Sequence, residues 1–332
     1  MLIEQAVILA AGKSTRTYPL TLTTPKPLLA VGTKTLLEYN LDQLNGLVKE
    51  AVIVVGYKKD MIIKKFKNSY KKLKISYVEQ KEQLGTGNAL EVANKKIRGR
   101  FILLMGDDLY PKKDIKKCLR YKYAVLAQRV SEPEMFGVFI VRNKLVKDLI
   151  EKPQLFISNL ANAALYVLDK KIFDEIGKLR QSKRGEYELT DAVRGLAKKE
   201  KVYCVIANRW VSVAYPWDLF NAKKLFKIKG NAIGKNCKIM GKAKDSIIMD
   251  NAVIEKGSII KDSIIGRNVK FKGRIISKRN AISIVKKLPV VADKLGAVVG
   301  DNCILKNVKI FPGIKIWPNK KISNKTIKED II

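Results

Sequence analysis

The sequence predicts an α/β fold: a Rossmann-like, mostly parallel sheet with helices on both faces, followed by a parallel β-helix. Three observations predict it. Short Val/Ile/Leu-rich segments alternate with helical patterns over residues 1–227, aliphatic residues then recur at every sixth position, and 332 residues suffice for two cores. Apolar strands with helices between them are typical of a parallel sheet buried on both faces. We therefore predict one domain at 1–227 and a second at 228–332.

The first domain is predicted to alternate strands and helices. Gly12 and Asp107 each come directly after a predicted strand. Because ligands of open α/β sheets bind at the carboxyl ends of the strands, we expect a ligand site at this edge. The strands are predicted at 5–11, 50–56, 74–79, 101–106, 123–129, 138–141, 163–168 and 201–206, and the helices at 36–46, 59–70, 87–95, 112–117, 170–179, 190–199 and 217–226.

The second domain is predicted from a repeat of six residues. One phase of the repeat is aliphatic or aromatic, as in Val299, Leu305 and Phe311, and Gly, Asn or Asp stands at the turns between. This period is typical of a parallel β-helix, in which each coil stacks its aliphatic side chains on the coil below. Residues 273–295 break the period, which predicts an inserted loop or hairpin. The alternative is an ordinary antiparallel β-domain.

The charge is strongly positive, with 66 Lys and Arg against 31 acidic residues and a formal net charge of +35. Most of the cations are lysines, and they are spread along the whole chain. Two interpretations stay open: solvated lysine faces, or a surface that binds a polyanion. Nucleic-acid binding is not expected, because base-reading proteins rely on the planar guanidinium of arginine. Anionic small substrates would be attracted in either case.

Two absences narrow the chemistry. The chain contains no histidine, which excludes Ser-His-Asp and Cys-His catalysis and histidine metal ligands. The four cysteines lie far apart without a C-x-x-C pair, which argues against a zinc site or a disulfide framework. No apolar run approaches the length of a membrane helix, and the first residues are not those of a signal peptide. We expect a cytoplasmic protein that does not bind membranes.

The strongest local signal is an apolar strand that runs into Ala10–Arg16 (AAGKSTR), followed by Pro25–Pro27 (PKP). Small residues let backbone N–H groups approach phosphate oxygens, and Lys13 and Arg16 would neutralise a polyphosphate. The prolines on either side of Lys26 fix the backbone and so aim its amine. The spacing is not that of a P-loop, so a basic glycine turn is weak evidence by itself.

These motifs, in this order and with the hexapeptide repeat, resemble the sugar-phosphate nucleotidyltransferases, also called NDP-sugar pyrophosphorylases. The nearest organisation is that of the archaeal glucose-1-phosphate thymidylyltransferase and UDP-N-acetylglucosamine pyrophosphorylase groups. The resemblance implies a left-handed β-helix and a magnesium-dependent enzyme that joins a sugar-1-phosphate to UTP or dTTP and releases pyrophosphate. It also implies a homo-oligomer formed through the β-helix. The alternative is a non-catalytic scaffold or regulatory subunit of the same architecture, which the net charge would suit as an RNA-associated partner.

The resemblance assigns roles to the residues that match the family's motifs. Arg16 is expected to hold the leaving pyrophosphate, Lys26 to stabilise charge on the α-phosphate, and Asp107 to bind magnesium. The stretch 83–86 (QLGT) is more like the uridylyl-transferring branch. The nucleotide-binding residues are expected to be Leu9, Ala10, Ala11, Gly12, Lys13, Gln80, Gln83, Gly85 and Thr86, and the sugar-phosphate-binding residues Gly137, Glu151, Lys152 and Asn162.

Each assignment has a structural alternative. Gln83 or Asn162 could be an amide that stabilises a loop, Asp107 a turn or capping residue, and Arg16 a packing residue. The pair Thr190-Asp191 is interpreted as the start of a helix rather than as a catalytic pair.

Two positions depart from the family pattern. Ser14 stands where many members have glycine, and residues 210–214 (WVSVA) replace a common Trp-x-Asp-Ile/Val-Gly, whose Asp is a second metal ligand. Three explanations are open: the metal is held by Asp107 with phosphates and water alone, Asp218 takes the place of the missing second ligand, or the activity is weak. Because relatives with acetyltransferase activity use a histidine base, that activity is not expected here. The sugar, the base and the number of subunits are not determined by the sequence.

Overall fold

The computed structural model describes residues 3–332, which form two compact units. The first contains the chain up to Gly12 together with Leu37–Ser212, and is built on a ten-stranded sheet. Seven of its strands point the same way, which confirms the mostly parallel sheet. The strand order across the sheet is Ser69–Tyr70, Leu73–Glu79, Glu50–Val55, Gln5–Ala10, Phe101–Met105, Leu160–Leu168, Tyr123–Arg129, Val202–Ile206, Leu145–Glu151 and Gly137–Arg142.

Every predicted strand and helix of the first domain is present, with ends shifted by up to four residues, but Ser69–Tyr70, predicted as the end of a helix, form a short strand. The prediction missed Leu145–Glu151, which pairs antiparallel with Gly137–Arg142 and contains Lys147 and Asp148. A charged, half-exposed strand of this kind lacks the continuous apolar run of a central parallel strand. The helices are Leu36–Leu44, Lys59–Phe66, Thr86–Glu91, Lys112–Cys118, Lys171–Ile176, Leu189–Lys199 and Leu219–Leu225, with 3₁₀ turns at Asn94–Lys96 and Pro133–Met135.

The second unit combines Lys13–Leu36 with Val213–Ile332. Its N-terminal part, which we call the basic loop (Lys13–Leu36), contains a short antiparallel pair of strands, Ala30–Val31 and Lys34–Thr35. The predicted domain boundary between 227 and 228 stays a prediction. The 3₁₀ turns of this unit are Thr15–Thr17, Leu20–Leu22, Lys26–Leu28 and Pro216–Asp218.

From Ala232 onward, apart from an inserted hairpin, the second unit is a left-handed parallel β-helix, as predicted. Ile254 lies beside Phe271 and then Leu305 in successive coils, so residues 17 and 34 apart in the chain become neighbours in one buried column. The β-helix strands are Ala232–Ile233, Lys238–Ile239, Lys242–Lys244, Ile247–Ile248, Val253–Ile254, Ile259–Lys261, Ile264–Ile265, Lys270–Ile275, Val298–Val299, Ile304–Ile310, Lys315–Ile316, Lys321–Ser323 and Thr326–Ile327.

One corner of the β-helix is built from a ladder of asparagines in the left-handed backbone region. Asn is among the few residues with a side chain that adopts positive φ at low cost, and here each amide donates to the amide oxygen on the next coil, at 2.8–3.4 Å. This explains why Asn recurs in the turns of the repeat. The ladder consists of Asn236, Asn251, Asn268, Asn302 and Asn319.

The segment that breaks the period contains an antiparallel hairpin, Lys278–Val285 with Leu288–Leu295. One face of the hairpin is buried through Ala281 and Ala292, and the other leaves Ile282 and Val291 about 60% exposed. No helix within residues 3–332 combines the length and the apolar composition needed to cross a membrane.

The eight-stranded sheet of the β-helix is rich in positively charged side chains. Its strands contain ten Lys and Arg residues and no acidic residue, and within residues 3–332 none of the ten forms an ion pair. Neighbouring strands of a sheet are about 4.8 Å apart, so cations distant in sequence share one exposed face. The ten are Lys238, Lys242, Lys244, Lys261, Lys270, Lys272, Arg274, Lys306, Lys309 and Lys321.

Candidate active site

The turn that follows the first strand lies at the carboxyl edge of the sheet in the first unit. Leu9, Ala10 and Ala11 are buried and Gly12 is exposed. A Cβ atom at Gly106 would lie 3.1 Å from the Cβ of Ala10, so the turn that carries Asp107 packs directly against this one. The small residues at 10 and 106 are therefore required by the close approach of the end of the first strand to the turn before Asp107.

The predicted base-reading loop reaches the same turn. The Gln83 Nε2 donates to the carbonyl oxygen of Ala11 at 3.0 Å, which places the Gln80–Thr86 loop beside Ala11. Gln80 is buried, and its Nε2 donates to Gly85 O at 3.0 Å and to Asn88 Oδ1 at 2.9 Å. Gln80 therefore shapes the loop from within.

Gly85 adopts φ +99°, and a Cβ atom there would lie 2.8 Å from the carbonyl oxygen of Tyr187. Only glycine fits this conformation and this contact. Thr86 begins the helix Thr86–Glu91, and its hydroxyl accepts the Leu189 N–H at 3.2 Å. The structure thus brings together the predicted nucleotide-binding residues that belong to the first unit.

Asp107 and Asp108 have different surroundings. Asp108 is buried, its carboxylate accepts the Trp210 indole N–H at 3.1 Å, and its carbonyl oxygen accepts Asn40 Nδ2 at 2.7 Å. Asp107 is half-buried at the end of the strand Phe101–Met105. Asp108 holds the loop in place, and Asp107 is the more exposed of the two carboxylates.

Ser212 lies in the segment beside this carboxylate pair. The backbones of Leu109 and Val211 exchange two hydrogen bonds, of 2.9 and 3.2 Å, so Ser212 follows directly on a residue paired with the Asp107–Leu109 turn. No group of three or more Asp, Glu or Cys residues able to hold a metal occurs in residues 3–332. Mg²⁺ commonly binds one or two carboxylates together with substrate phosphates and water, so Asp107 fits such an ion without a protein cage.

The predicted sugar-phosphate residues lie on neighbouring antiparallel strands. Gly137 pairs with Glu151, and a Cβ atom at Gly137 would lie 3.0 Å from Glu151 Oε2. Lys152 follows with its N–H bonded to Phe136 O at 3.0 Å. The amide of Asn162 is engaged within its own strand, donating to the Tyr166 hydroxyl at 2.6 Å and accepting the Ala164 N–H at 2.9 Å.

Glu151 lies in an acidic pocket that the sequence prediction described only in part. Burial, and then the nearby Glu188, raise the pKa of Glu151. Arg184 bridges the two carboxylates, at 2.8 Å to Glu188 and 3.4 Å to Glu151. The prediction missed Arg184, because a loop arginine among other charges gives no local signal of its partners. The helix Leu189–Lys199 starts beside Thr190, which confirms the interpretation of Thr190-Asp191 as a helix start.

The two predicted catalytic cations belong to the basic loop of the second unit. Lys26 is 7% exposed within the 3₁₀ turn Lys26–Leu28. Arg16 lies over the ring of Tyr215, with 5.9 Å from its Cζ to the ring centroid, and Tyr215 stacks on Trp217 at 5.1 Å. Lys13 directly follows Gly12 and is exposed.

Asp218 lies at the start of the last helix, and its carboxylate feels the positive charges of Lys26 and Arg16. Its Oδ2 accepts the backbone N–H groups of Ala214 and Tyr215 at 2.8 and 2.7 Å. Burial raises the pKa of Asp218 to about 6, and the positive charges of Lys26 and Arg16 oppose this rise. Asp218 is therefore engaged as a backbone cap, which does not favour the alternative that it replaces the missing second metal ligand.

This burial predicts a pH-dependent stability. Because the folded pKa of Asp218 is raised from 3.8 to about 6, its contribution to the free energy of unfolding is fully present below pH 3.8 and is lost as the pH rises through 6. Asn at this position still accepts an N–H and does not ionise. We expect urea unfolding of Asp218→Asn between pH 4 and 7 to lack this loss, a difference of about 2 kcal/mol from the unsubstituted protein. Parallel pH profiles would contradict the prediction.

Comparison with known proteins gives one family. Residues 5–227 match the family model for nucleotidyl transferase. The chain is 35% identical to the bifunctional protein GlmU of Methanocaldococcus jannaschii, over 95% of this chain and 92% of that protein. It is 31% identical to a bifunctional sugar-1-phosphate nucleotidylyltransferase/acetyltransferase of Sulfurisphaera tokodaii, over 98% of this chain and 80% of that protein.

Among solved structures, UDP-glucose pyrophosphorylase complexed with UDP-glucose superposes with a TM-score of 0.61 at 25% identity, covering 68% of this chain and 98% of that one. A putative glucose-1-phosphate thymidylyltransferase from Bacillus anthracis gives a TM-score of 0.62 at 26% identity, covering 68% of this chain and 96% of that one. The family match, the relatives over nearly the whole length and the fold agree with the motifs. The chain belongs to the nucleotidyl transferase family, in its sugar-1-phosphate nucleotidylyltransferase branch.

Proposed function

We propose that this protein joins a sugar-1-phosphate to a nucleoside triphosphate, UTP or dTTP, and releases pyrophosphate. The observation that carries the proposal is the convergence at one sheet edge of the Leu9–Gly12 turn, the Gln80–Thr86 loop and Asp107. A small-residue turn for phosphates, amides for a base and a carboxylate for a divalent ion are the parts that nucleotidyl transfer needs.

The chemistry suits a chain without histidine. A phosphate oxygen of the sugar-1-phosphate is ionised at neutral pH, so its attack on the α-phosphorus requires no general base. Positioning and charge stabilisation then carry the catalysis, as they do in phosphoryl transfer. Lys26 stabilises the charge that develops on the α-phosphate, and Arg16, assisted by Lys13, holds the departing pyrophosphate. Lys152 would neutralise the phosphate of the sugar-1-phosphate, and the Glu151 carboxylate would accept hydrogen bonds from hydroxyl groups of the sugar ring.

Magnesium is the expected cofactor, with Asp107 as its protein ligand. When bound, the ion would neutralise phosphate charge and align the triphosphate. The rest of its coordination shell would come from substrate phosphates and water, which agrees with the single half-buried carboxylate at this edge.

The substrates can be identified by one assay. Pyrophosphate release with Mg²⁺ would be measured for UTP, dTTP, GTP, ATP and CTP, each with glucose-1-phosphate, N-acetylglucosamine-1-phosphate and mannose-1-phosphate. The proposal expects turnover with UTP or dTTP and with the glucose or N-acetylglucosamine substrate; UDP-glucose and glucose-1-phosphate thymidylyl transfer are named for two structural neighbours. No turnover by folded protein with any pair would contradict it.

We further propose that the β-helix has no acetyltransferase activity. The relative from Sulfurisphaera tokodaii that is described as a nucleotidylyltransferase/acetyltransferase aligns over 98% of this chain, the β-helix included, but this chain has no histidine to act as the base. The test is thiol release from acetyl-CoA with glucosamine-1-phosphate, with a bifunctional relative as positive control. Release above background would overturn this part of the proposal.

The β-helix is also the expected site of homo-oligomer formation. The exposed hairpin face presents Ile282 and Val291, each about 60% exposed, as apolar surface that suits burial against a second copy of the chain. Light scattering of the protein, compared with Ile282→Lys, would test it. A monomer at every concentration would exclude it.

One observation favours the second candidate, a non-catalytic scaffold. Ser212 stands where the family commonly has an acidic metal ligand.

If the protein is an enzyme whose activity is weakened by Ser212, Ser212→Asp should lower the half-saturating Mg²⁺ concentration about 10-fold, because the substitution adds a carboxylate beside the Asp107 turn. Ser212→Asn, which is similar in size and uncharged, is the matched control. An unchanged Mg²⁺ dependence would contradict the prediction, and salt-sensitive RNA binding without turnover would favour the scaffold.

A further inference from the structure

A side chain of the basic loop bonds a buried carboxylate of the β-helix. The Thr23 hydroxyl donates to the carboxylate Oδ2 of Asp301 at 2.8 Å. Thr23 directly follows the 3₁₀ turn Leu20–Leu22 and precedes Lys26 by three residues. A residue 278 positions away in sequence thus holds the loop that carries both predicted catalytic cations.

Asp301 is itself held rigidly. It is 3% exposed, and its Oδ1 accepts the backbone N–H of Arg267 at 2.7 Å. Its Oδ2 accepts Nε and Nη2 of the same arginine at 2.9 and 2.6 Å. Charge-assisted bonds from a planar guanidinium fix the orientation of a carboxylate. The oxygen that Thr23 contacts therefore has a defined position.

The repeat supplies an internal comparison. In an equivalent coil, Asp250 accepts the backbone N–H of Lys235 at 2.7 Å, as Asp301 accepts that of Arg267. A Cβ atom on the glycine before each donor would lie 2.4 Å from Asp250 Oδ1 and 2.6 Å from Asp301 Oδ1. Both aspartates therefore cap the preceding coil in the same way. Only Asp301, of the two, bonds the basic loop as well, so that bond serves something other than the coil.

We propose that Asp301 is a positioning residue for nucleotidyl transfer, acting through Thr23 to place the backbone from which Lys26 projects. Pro25 lies between Thr23 and Lys26 with its φ fixed by the ring, so a displacement at Thr23 is passed along a stiff segment. The inference rests on the proposed function. It gives the β-helix a role in the first reaction, in a chain that lacks the histidine for a second one.

The test compares Thr23→Val, which removes the hydroxyl at nearly constant volume, with Thr23→Ser, which restores it. Asp301→Ala is compared with Asp250→Ala, its repeat-equivalent control. The first readout is hydrogen exchange of the amides in 20–29 without substrate. The second is kcat and KM for the substrate pair with the highest turnover. A displacement of the order of 1 Å in a reacting group costs up to about 100-fold in rate, and we expect kcat to fall about 10-fold.

Thr23→Val and Asp301→Ala should both accelerate exchange in 20–29 and lower kcat, with little change in the KM for the nucleotide. Thr23→Ser should restore kcat to within about twofold, and the double variant should be no worse than the worse single variant. Asp250→Ala, which removes the backbone cap without removing an ion pair, should lower the melting temperature less than Asp301→Ala and leave kcat unchanged. This difference separates positioning from stability.

Two results would overturn the inference: unchanged exchange in 20–29, or wild-type kcat in Thr23→Val while exchange is accelerated. A loss of kcat in Asp250→Ala as large as in Asp301→Ala would do the same, since it would show a general effect of the coil. If the unsubstituted protein turns over no substrate pair, the proposed function fails. The exchange measurement then still decides whether Asp301 holds the loop.

Discussion

Replacing Lys26 by methionine is expected to lower kcat for pyrophosphate release about 1,000-fold, or about 4 kcal/mol in barrier height. The reason is that Lys26 is the buried cation of the basic loop, and removal of its charge leaves the developing charge on the α-phosphate without this partner. Methionine keeps an unbranched side chain, so packing around the 3₁₀ turn is retained. The measurement is steady-state kinetics with the substrate pair of highest turnover.

The matched control is Lys256→Met, which removes one charge from an exposed turn of the β-helix. It separates the role of the Lys26 ammonium from a change in the net charge. The control should stay within twofold of the unsubstituted protein. If Lys26→Met kept more than one tenth of kcat while folded, the catalytic role assigned to Lys26 would be wrong.

Asp107→Asn is the second change with a large expected effect, a fall of about 100- to 1,000-fold in kcat/KM at fixed magnesium. The substitution preserves the shape of the side chain and removes the charge that attracts Mg²⁺. Because the lost interaction is with the ion, the half-saturating Mg²⁺ concentration should rise, and high Mg²⁺ should recover part of the activity. The measurement is a magnesium titration of pyrophosphate release.

Asp108→Asn is the neighbouring control. Asp108 is buried against the Trp210 indole N–H, which an asparagine oxygen can still accept. We expect this variant to keep its Mg²⁺ dependence and to change mainly in melting temperature. If Asp108→Asn shifted the magnesium titration as far as Asp107→Asn, Asp107 would not be the sole protein ligand, and Asp108 would have to bind the metal in its place or together with it.

Local patterns were sufficient for most of the fold. Central strands such as Gln5–Ala10 and Phe101–Met105 are continuous apolar runs, and the β-helix shows its period directly in the sequence. Leu145–Glu151 escaped prediction because its charged, half-exposed pattern is shared by many loops and helices. Leu160–Leu168 was predicted only from 163, because its pairing register shifts between Asn162 and Tyr166, where Ala164 has a positive φ.

Contacts of the candidate site residues were predictable where a motif lies in one short segment and not where partners are distant. The family motifs indicated Gln83 and Glu151; in the structure Gln83 bonds the carbonyl oxygen of Ala11 and Glu151 pairs with Gly137, and their roles stay predictions. Arg184 was missed, because its importance comes from Glu151 and Glu188, which only the folded loop brings to it.

The clustering of positive charge on the β-helix could not be predicted from the sequence either. In the sequence, lysines such as Lys238, Lys270 and Lys321 are spread along the second half of the chain without forming a cluster. Parallel coils place Lys238 and Lys270 each beside Val253, and Lys270 and Lys321 each beside Ile304, so that all three lie on one face of one sheet. The distribution of charge is therefore a property of the coil stacking and not of the local sequence.

By itself, the sequence determined the fold class and the β-helix, because periodicity is a local property that neighbouring residues specify together; its short motifs indicated the reaction class through their resemblance to a known family. Only the tertiary structure decided that Asp218 caps a backbone turn, that Arg184 bridges two acids, and that Asp301 holds Thr23. Each of these rests on a contact between residues that the chain brings together only on folding. A hydrogen bond requires its two atoms to lie about 3 Å apart in space, however many residues separate them in the sequence.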